Sequence, residues 1–247
     1  IEDVVAYAAI ALVALIPTAE VAIRNILHTG IGGSSDLLRH LVLWVAFVGG
    51  TITSRQERHI ALSAAVALLP TAARRWVKAG TSAVAVAFST GYFAACLSFV
   101  LIGLAGGRSV MGIPMQAMAA IMPLGFLVIA VRFVLLAGDR AGPRLVAAAG
   151  LVVGLIIAWE PLVSSLEVVS PEAAASLCGA LAAPLGAVNA ALHVPLVVLV
   201  IAAALLGAPV FVLLGGLGYL FILHSGGAPA VVADEAYNMI SGPYIGA

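Results

Sequence analysis

Residues 81–105 read TSAVAVAFSTGYFAACLSFVLIGLA and carry no charged side chain. A helix needs about 20 mainly apolar residues to cross a hydrocarbon core of roughly 30 Å, and this stretch is long enough. A helix is the expected form because backbone amides inside lipid must find their partners within the same segment. The stretch therefore predicts a membrane-spanning α-helix.

Four further apolar runs have a similar length, and they lie at Val4–Ile23, Leu37–Thr53, Pro114–Ala137 and Leu145–Val163. Of the 247 residues, 63% are hydrophobic and 9% are charged. A soluble domain carries about 25% charged residues, because its surface faces water. The fold class expected is therefore an all-α, polytopic transmembrane protein.

The last third of the chain has a different pattern. Ser170-Pro171-Glu172 is typical of a helix start, and we expect the Ala-rich residues 171–190 to form an interfacial or buried helix. Residues 191–224 predict two short helices that are separated at Gly207-Ala208-Pro209. Residues 231–247 predict an amphipathic, partly exposed segment. The chain should therefore have about seven membrane helices.

Residues 55–78 differ from the spans because arginines flank a short apolar middle, IALSAAVALLP. Such a segment is expected to lie in the membrane surface as an in-plane arm helix. Trp76 beside Arg74 and Arg75 is typical of a headgroup anchor. Eight of the eleven basic residues fall in this segment or at Arg132, Arg140 and Arg144. A helical hairpin between them would bring both groups to one side, predicted to be cytoplasmic together with the N-terminus.

Several functional classes receive no support from the sequence. Eleven basic residues balance eleven acidic ones, which argues against nucleic acid as a partner. The two cysteines, Cys96 and Cys178, are far apart and predict neither a disulfide nor a metal site. No catalytic motif is recognisable, so we do not expect an enzyme. The glycine pairs within apolar runs indicate close helix packing.

The candidate site residues are polar groups at the ends of the spans, interpreted first as structural or interface positions. Glu20 and Arg24 are four residues apart and can pair on one helix face. Asp36 and Arg39 begin the second span, where an acid suits the helix dipole. The remaining candidates lie in the arm segment, namely Arg55, His59, Arg74, Arg75 and Trp76.

A known family matches the order of several of these residues. The run from Arg24 through Asp36-Leu-Leu-Arg39, Trp44-Val-Ala-Phe-Val-Gly49-Gly50 and Arg55 to His59-Ile60 resembles the DctQ-type small membrane subunit of TRAP transporters. Residues 112–115, 122–126 and 132–133 are also similar to that family. Asp36 stands where glutamate is more usual. The resemblance implies a DctQ-like four-helix membrane domain over residues 1–140.

The sequence from Leu206 to Phe211, with its Gly-x-Pro turn, is similar to the beginning of the DctM-type large subunit. The resemblance implies that residues 190–247 are the N-terminal portion of such a subunit and that 141–189 form a connecting helix and an interfacial segment. The chain starts at Ile1 and ends on GPYIGA, so we expect it to be part of a longer fusion.

The resemblance implies a static membrane scaffold in a tripartite secondary transporter of the bacterial inner membrane. Its implied partners are the remainder of the large subunit, a periplasmic substrate-binding protein and membrane lipid. Its implied substrates are organic acids, and sodium is implied as the driving ion of the complete transporter, with no cofactor in this chain. The alternatives are a self-contained small transporter or channel and a non-transporting assembly subunit.

Overall fold

A computed structural model describes residues 2–28, 32–55, 70–107, 109–138 and 140–241, and these form an almost entirely helical protein. The helices are α1 (Glu2–Leu27), α2 (Ser34–Arg55), α3 (Thr71–Ser98), α4 (Met115–Ala119), α5 (Ile121–Leu136), α6 (Ala141–Ile157), α7 (Trp159–Val169), α8 (Pro171–Leu205), α9 (Val210–His224) and α10 (Ala230–Ser241). The expected all-α, polytopic architecture is confirmed.

Five of the described helical segments are long and apolar enough to cross a membrane: α1, α2, Ala73–Gly103, Met115–Leu136 and α8. The bent pair α6 and α7 would make a sixth. The apolar helix α9 has only 15 residues, a length of about 22 Å at 1.5 Å per residue. The described residues therefore give five or six candidate spans, fewer than the seven or so expected from the sequence.

Helix α3 is the centre of the bundle. In the most apolar 18-residue stretch of this helix, 72% of the residues are buried. In the corresponding stretch of α1, which lies at the periphery, 11% are buried. One face of α3 packs with α6, α8 and α9 around Phe88, Ile157 and Tyr219. Its later turns pack with α2, α5 and α10 around Leu43, Cys96 and Met122 in a second cluster. The sequence-predicted span at 81–105 is thus the element that the other helices surround.

The third span ends in a π turn at Phe99–Gly103, and a two-stranded hairpin follows. Strands β1 (Ser109–Val110) and β2 (Ile113–Pro114) are antiparallel. Met111 and Gly112 between them both have positive φ, at 50° and 82°, which is the backbone geometry of a tight primed turn. The fourth span then begins at Met115 as α4 and continues as α5 after Ala120.

The predicted span Leu145–Val163 is wrong as a single helix, because the chain bends by 67° between α6 and α7. The cause is Pro161, which has no N–H and whose ring excludes the normal bond to the carbonyl of Ile157. Two side chains from neighbouring helices compensate. Tyr219 donates its hydroxyl to the Ile157 oxygen at 3.3 Å, and Asn189 Nδ2 donates to the Ile156 oxygen at 3.3 Å.

The predicted separation between residues 171–190 and 191 onward is also wrong, since α8 runs unbroken over 35 residues. It begins at Pro171, as the Ser-Pro-Glu signature predicted. Alanine is the strongest helix former and carries the helix through this region. The expected break at Gly207-Ala208-Pro209 is confirmed. Gly207 has φ of 93°, a left-handed conformation that glycine adopts without strain.

The predicted arm helix falls largely on residues 56–69, which lie outside the described residues. Its last part, residues 71–78, belongs to α3, so the third span begins ten residues earlier than the apolar run at Thr81. Charged residues can extend a membrane helix into the headgroup layer, where long side chains reach water. Arg74, Arg75 and Trp76 therefore lie on the first turns of a span.

Candidate functional site

The end of the bundle where α1 meets α2 carries an ion pair. Arg24 Nη2 lies 2.6 Å from Glu20 Oε1, and Arg24 is 65% exposed while Glu20 is 20% exposed. Ser34 Oγ donates to the second Glu20 oxygen at 2.5 Å. One carboxylate therefore ties the end of α1 to the start of α2, and Arg24 remains accessible.

Asp36 and Arg39 form a second pair one turn into α2. Arg39 Nη1 lies 3.2 Å from Asp36 Oδ1, with the acid 53% exposed and the arginine 21% exposed. A surface pair of this kind contributes about 0.2–1 kcal/mol to stability, and Asp36 is the more exposed of its two members. Arg55 ends α2 without a described side chain, and the candidate His59 lies outside the described residues.

The basic candidates lie at the opposite end of the bundle. Arg75 Cζ is 5.5 Å from the centre of the Trp76 ring, within cation–π range. Trp76 is half exposed, and its Cη2 would be 3.5 Å from a Cβ placed at Gly142. The starts of α3 and α6 are therefore neighbours. Arg74 is exposed on the same turns of α3.

Arg132 connects α5 to the end of α2. Its Nη1 donates to the backbone oxygen of Thr51 and lies 3.4 Å from Ser54 Oγ. The same Thr51 oxygen also accepts from Ser54 Oγ at 2.6 Å, and the negative end of a helix attracts cations. The end of α2, the end of α5 and the starts of α3 and α6 thus form one basic end of the described protein.

A buried hydrogen-bonded pair joins α2 to α10. His40 Nδ1 is 2.7 Å from the Asp36 carbonyl oxygen, and His40 Nε2 is 2.7 Å from the Tyr237 hydroxyl. A carbonyl can only accept, so Nδ1 carries the proton and Nε2 accepts from the tyrosine. Breaking a buried pair of this kind leaves an unsatisfied group, at a cost of about 1–3 kcal/mol.

Apolar packing surrounds this pair. Ala233 and Tyr237 of α10 are buried together with Leu43, Phe99 and Met122. Beside them, Trp44 Nε1 donates to the Met118 carbonyl at 2.8 Å, where α4 ends and its last carbonyls need partners. Helix α10 is therefore docked on the amino-terminal helices both by apolar burial and by a specific hydrogen bond. We define this contact of α10 with α2 and α3 as the α10 interface.

The sequence interpretation missed the central residue of this interface. His40 is not among the residues predicted from the sequence. It follows Arg39 and precedes the apolar run LVLWV, so it is a polar residue at the beginning of a membrane span. Such groups are costly in lipid and mark specific contacts. Its partner lies 197 positions away, so no local pattern could identify Tyr237.

These contacts can hold helices and bind charged partners, but they show no reactive arrangement. Within the described residues, no group of three or more His, Cys, Asp or Glu side chains could hold a metal ion. Cys96 is buried and Cys178 is exposed, and both are free thiols. The described polar residues therefore act through ion pairs and hydrogen bonds.

Comparison with known proteins found no curated protein and no solved structure that matches the chain. Residues 13–142 match the family described as "Tripartite ATP-independent periplasmic transporters, DctQ component". The match runs from within α1 to the start of α6 and covers more than half of the 247 residues. The family consists of transporter components rather than enzymes, and its match together with the apolar helices indicates a multi-pass protein of the inner membrane. The chain therefore belongs to the DctQ family and is a component of a tripartite ATP-independent periplasmic transporter.

Proposed function

We propose that this chain is the static membrane scaffold of a transporter that imports organic acids with a sodium gradient and a periplasmic substrate-binding protein. The observation that carries the proposal is the family match over residues 13–142, which includes α2, α3, α4 and α5 and most of α1. The buried links among these helices support a rigid body. Sodium and substrate would bind in the moving part of the transporter.

The α10 interface supports a fused arrangement. In this proposal, residues 1–140 are the small-subunit domain, and a DctM-like large subunit begins near residue 190, within the continuous helix α8 that also carries the end of the connecting segment. The His40–Tyr237 hydrogen bond crosses between the first and the last of these parts. Burial of Ala233 and Tyr237 among residues of α2 and α3 gives the contact the character of a fixed interface. The large subunit would thus be held to its scaffold from its first helices.

The basic end supports an orientation with the N-terminus in the cytoplasm. Arg74, Arg75, Arg140 and Arg144 lie near the starts of α3 and α6, and short loops rich in lysine and arginine remain cytoplasmic in bacterial inner-membrane proteins. Half-exposed Trp76 would lie at headgroup level. Lipid is therefore a partner of this end.

The opposite end would face the periplasm and the substrate-binding protein. It presents Glu20 with Arg24 and Asp36 with Arg39 as exposed or partly exposed charges. Charged groups at the rim of an interface mainly set the association rate and its salt dependence. Reversing the charge of Arg24 should therefore change the rate of binding-protein docking more at low salt than at high salt.

Uptake in proteoliposomes tests the proposed transport. The protein is expressed from its own gene and reconstituted with and without a candidate periplasmic binding protein, and radiolabelled organic acids are offered with and without a sodium gradient. Uptake that needs both sodium and the binding protein supports the proposal. Uptake that ignores both would favour a self-contained transporter, and a partner-dependent assembly defect without any uptake would favour an assembly subunit.

A cross-link tests whether the scaffold is static. Cysteines replace His40 and Tyr237, whose rings are 5.7 Å apart, in a background with Cys178→Ser, and a mild membrane-permeant oxidant joins them as a disulfide. A static contact predicts that the linked protein keeps the uptake rate of the unlinked double variant. The two single-cysteine variants treated with the same reagent are the controls. Loss of uptake only in the linked protein would contradict a static role.

A further inference from the structure

A polar cavity of about 220 Å³ lies beside the bend between α6 and α7. It is enclosed by α7, α8 and α9, and four polar side chains line it, namely Glu160, Asn189, His193 and His224. None of the four belongs to the family-matched residues 13–142. Polar groups at membrane depth are costly and are retained mainly where they bind something or pair with one another.

Asn189, which lines the cavity, has an acceptor that the bend fixes in place. Asn189 Nδ2 donates to the Ile156 carbonyl, one of the carbonyls at the bend. Because a carbonyl oxygen can only accept, the amide nitrogen of Asn189 must face Ile156, and the amide oxygen Oδ1 points away from this bond. Oδ1 is buried and has no hydrogen-bond partner among the described residues. A buried amide oxygen without a donor is unfavourable, and a donor in the cavity would satisfy it.

The cavity also holds an acidic side chain. Glu160 has the only carboxyl group among the described lining residues, beside the two histidines, and within the described part of the chain this carboxyl group has neither an ion pair nor a hydrogen bond. The rings of His193 and His224 stack at 4.0 Å and 16° beside it. Each neutral imidazole offers one acceptor nitrogen. The residues that line the cavity therefore offer more hydrogen-bond acceptors than donors, and this imbalance favours a ligand that is a cation with N–H donors.

We propose that this cavity binds a primary ammonium group. Such a group carries three N–H donors and one positive charge, and these match the Glu160 carboxylate, the Asn189 oxygen and an imidazole nitrogen. The cavity has room for several heavy atoms, and the described residues hold no cluster suited to a bare metal ion. Trp159 also lines the cavity and adds an aromatic surface that attracts cations.

The depth of the cavity favours a lipid headgroup as the source of this ammonium. Helix α6 has 17 residues, so it rises about 25 Å from the basic end to the bend. In a hydrocarbon core of roughly 30 Å, the bend then lies close to the opposite interface, where headgroups are found. His224 is exposed at the end of α9, so the cavity opens outward. A soluble primary amine has the same chemistry and is the second source.

Thermal unfolding with matched additives tests the proposal. The intact protein is purified in detergent at about pH 8, where histidine side chains are ordinarily neutral. Ethylammonium chloride is compared with tetramethylammonium chloride at equal ionic strength, because the second cation has no N–H donor. In parallel, nanodiscs of phosphatidylethanolamine are compared with nanodiscs of phosphatidylcholine that carry the same acyl chains. The proposal expects a higher melting temperature with the primary ammonium form in at least one of the two comparisons.

Glu160→Gln keeps the shape of the side chain and removes its charge, and should weaken ammonium binding about tenfold or more because the charge-assisted bond is lost. The matched control is Glu167→Gln on the same helix, since Glu167 is exposed and does not line the cavity. If Glu160→Gln does not fold, His224→Leu serves the same purpose at an exposed position.

An effect in the nanodisc comparison alone identifies a lipid headgroup as the source, and an effect of ethylammonium in detergent shows that soluble amines are accepted. Equal melting temperatures for the donor and non-donor cations in both comparisons would overturn the proposal. So would a primary-ammonium effect that Glu160→Gln retains in full. Because the readout is stability, the result does not depend on transport.

Discussion

Gly150 lies where α6 crosses α3 with their backbones in direct contact. A Cβ added at Gly150 would be 2.1 Å from the Ala83 oxygen and 2.9 Å from its carbonyl carbon, whereas ordinary contact begins at 3.4 Å. Gly150→Ala therefore requires the helices to separate by 3.4 − 2.1 = 1.3 Å at this point. The obstructing atom is backbone, so no side-chain rotation relieves the clash.

The separation should be costly because α3 is the central helix. A radial gap of about 1 Å forfeits roughly half of the dispersion energy of each contact that it opens, and overpacking costs about 1–3 kcal/mol. We expect Gly150→Ala to lower the melting temperature in detergent by about 2–12 °C, at about 2–4 °C per kcal/mol. Gly154→Ala should have a smaller effect, since its Cβ would be 2.7 Å from Ala87 O and needs a shift of 3.4 − 2.7 = 0.7 Å.

The matched control is Gly179→Ala in α8, where an added Cβ meets nothing within 4 Å. Alanine favours a helix over glycine by about 1 kcal/mol, so this variant should melt at the wild-type temperature or slightly above it. Circular dichroism verifies that all three variants keep their helix content. Equal melting temperatures for the Gly150 and Gly179 variants would show that the two helices do not meet at Gly150.

Three other contacts can be tested by the same thermal measurement. Tyr237→Phe with His40→Phe in a double-mutant cycle should give a coupling of about 0.6–1.7 kcal/mol, the range for hydrogen bonds between membrane helices, and a coupling of zero would argue against the buried bond. Arg132→Gln should destabilise by about 0.5–1.5 kcal/mol, because the Thr51 carbonyl loses its charged donor but keeps Ser54 Oγ. Arg24→Gln at an exposed pair should cost less than about 1 kcal/mol. Asn189→Leu should destabilise by about 1–3 kcal/mol and increase amide exchange near the bend, and unchanged exchange there would mean that this side chain does not stabilise it.

The extent of the membrane spans could be predicted from the sequence because lipid imposes a length and a composition on each of them. The runs at 4–23, 37–53 and 114–137 correspond to α1, α2 and the pair α4 and α5. The start of α3 was placed too late because Arg74 and Arg75 interrupt the apolar pattern. Hydropathy detects the hydrocarbon core, whereas a helix continues into the headgroup layer as long as its backbone bonds are satisfied.

The bend at Ala158 could be predicted only in part from the sequence. Pro161 is visible there, but Pro17, Pro184 and Pro195 lie inside helices that remain continuous. A proline breaks a membrane helix where neighbours can satisfy the carbonyls that it frees. At the bend, Tyr219 and Asn189 supply those donors from α9 and α8. Which proline produces a break is thus a property of the assembled bundle.

The contacts of the candidate site residues are of two kinds, local pairs that the sequence predicts and long-range contacts that it does not. The Glu20–Arg24 and Asp36–Arg39 pairs are local, since helix geometry brings residues three or four apart together. The His40–Tyr237 bond and the contact of Arg132 with Thr51 join residues that are 197 and 81 positions apart. No periodicity within one helix contains such information.

By itself, the sequence determined that this protein is a helical membrane protein of the DctQ type with a basic end, because hydropathy, charge placement and motif order are properties of the chain. Only the tertiary structure decided that α3 is the centre, that α10 is docked on α2, and that Glu160 and Asn189 meet at one polar cavity. The physical reason is that lipid solvates every apolar face of a helix equally well. Which faces pack together is therefore decided by close approach, as at Gly150, and by buried polar groups that must find partners.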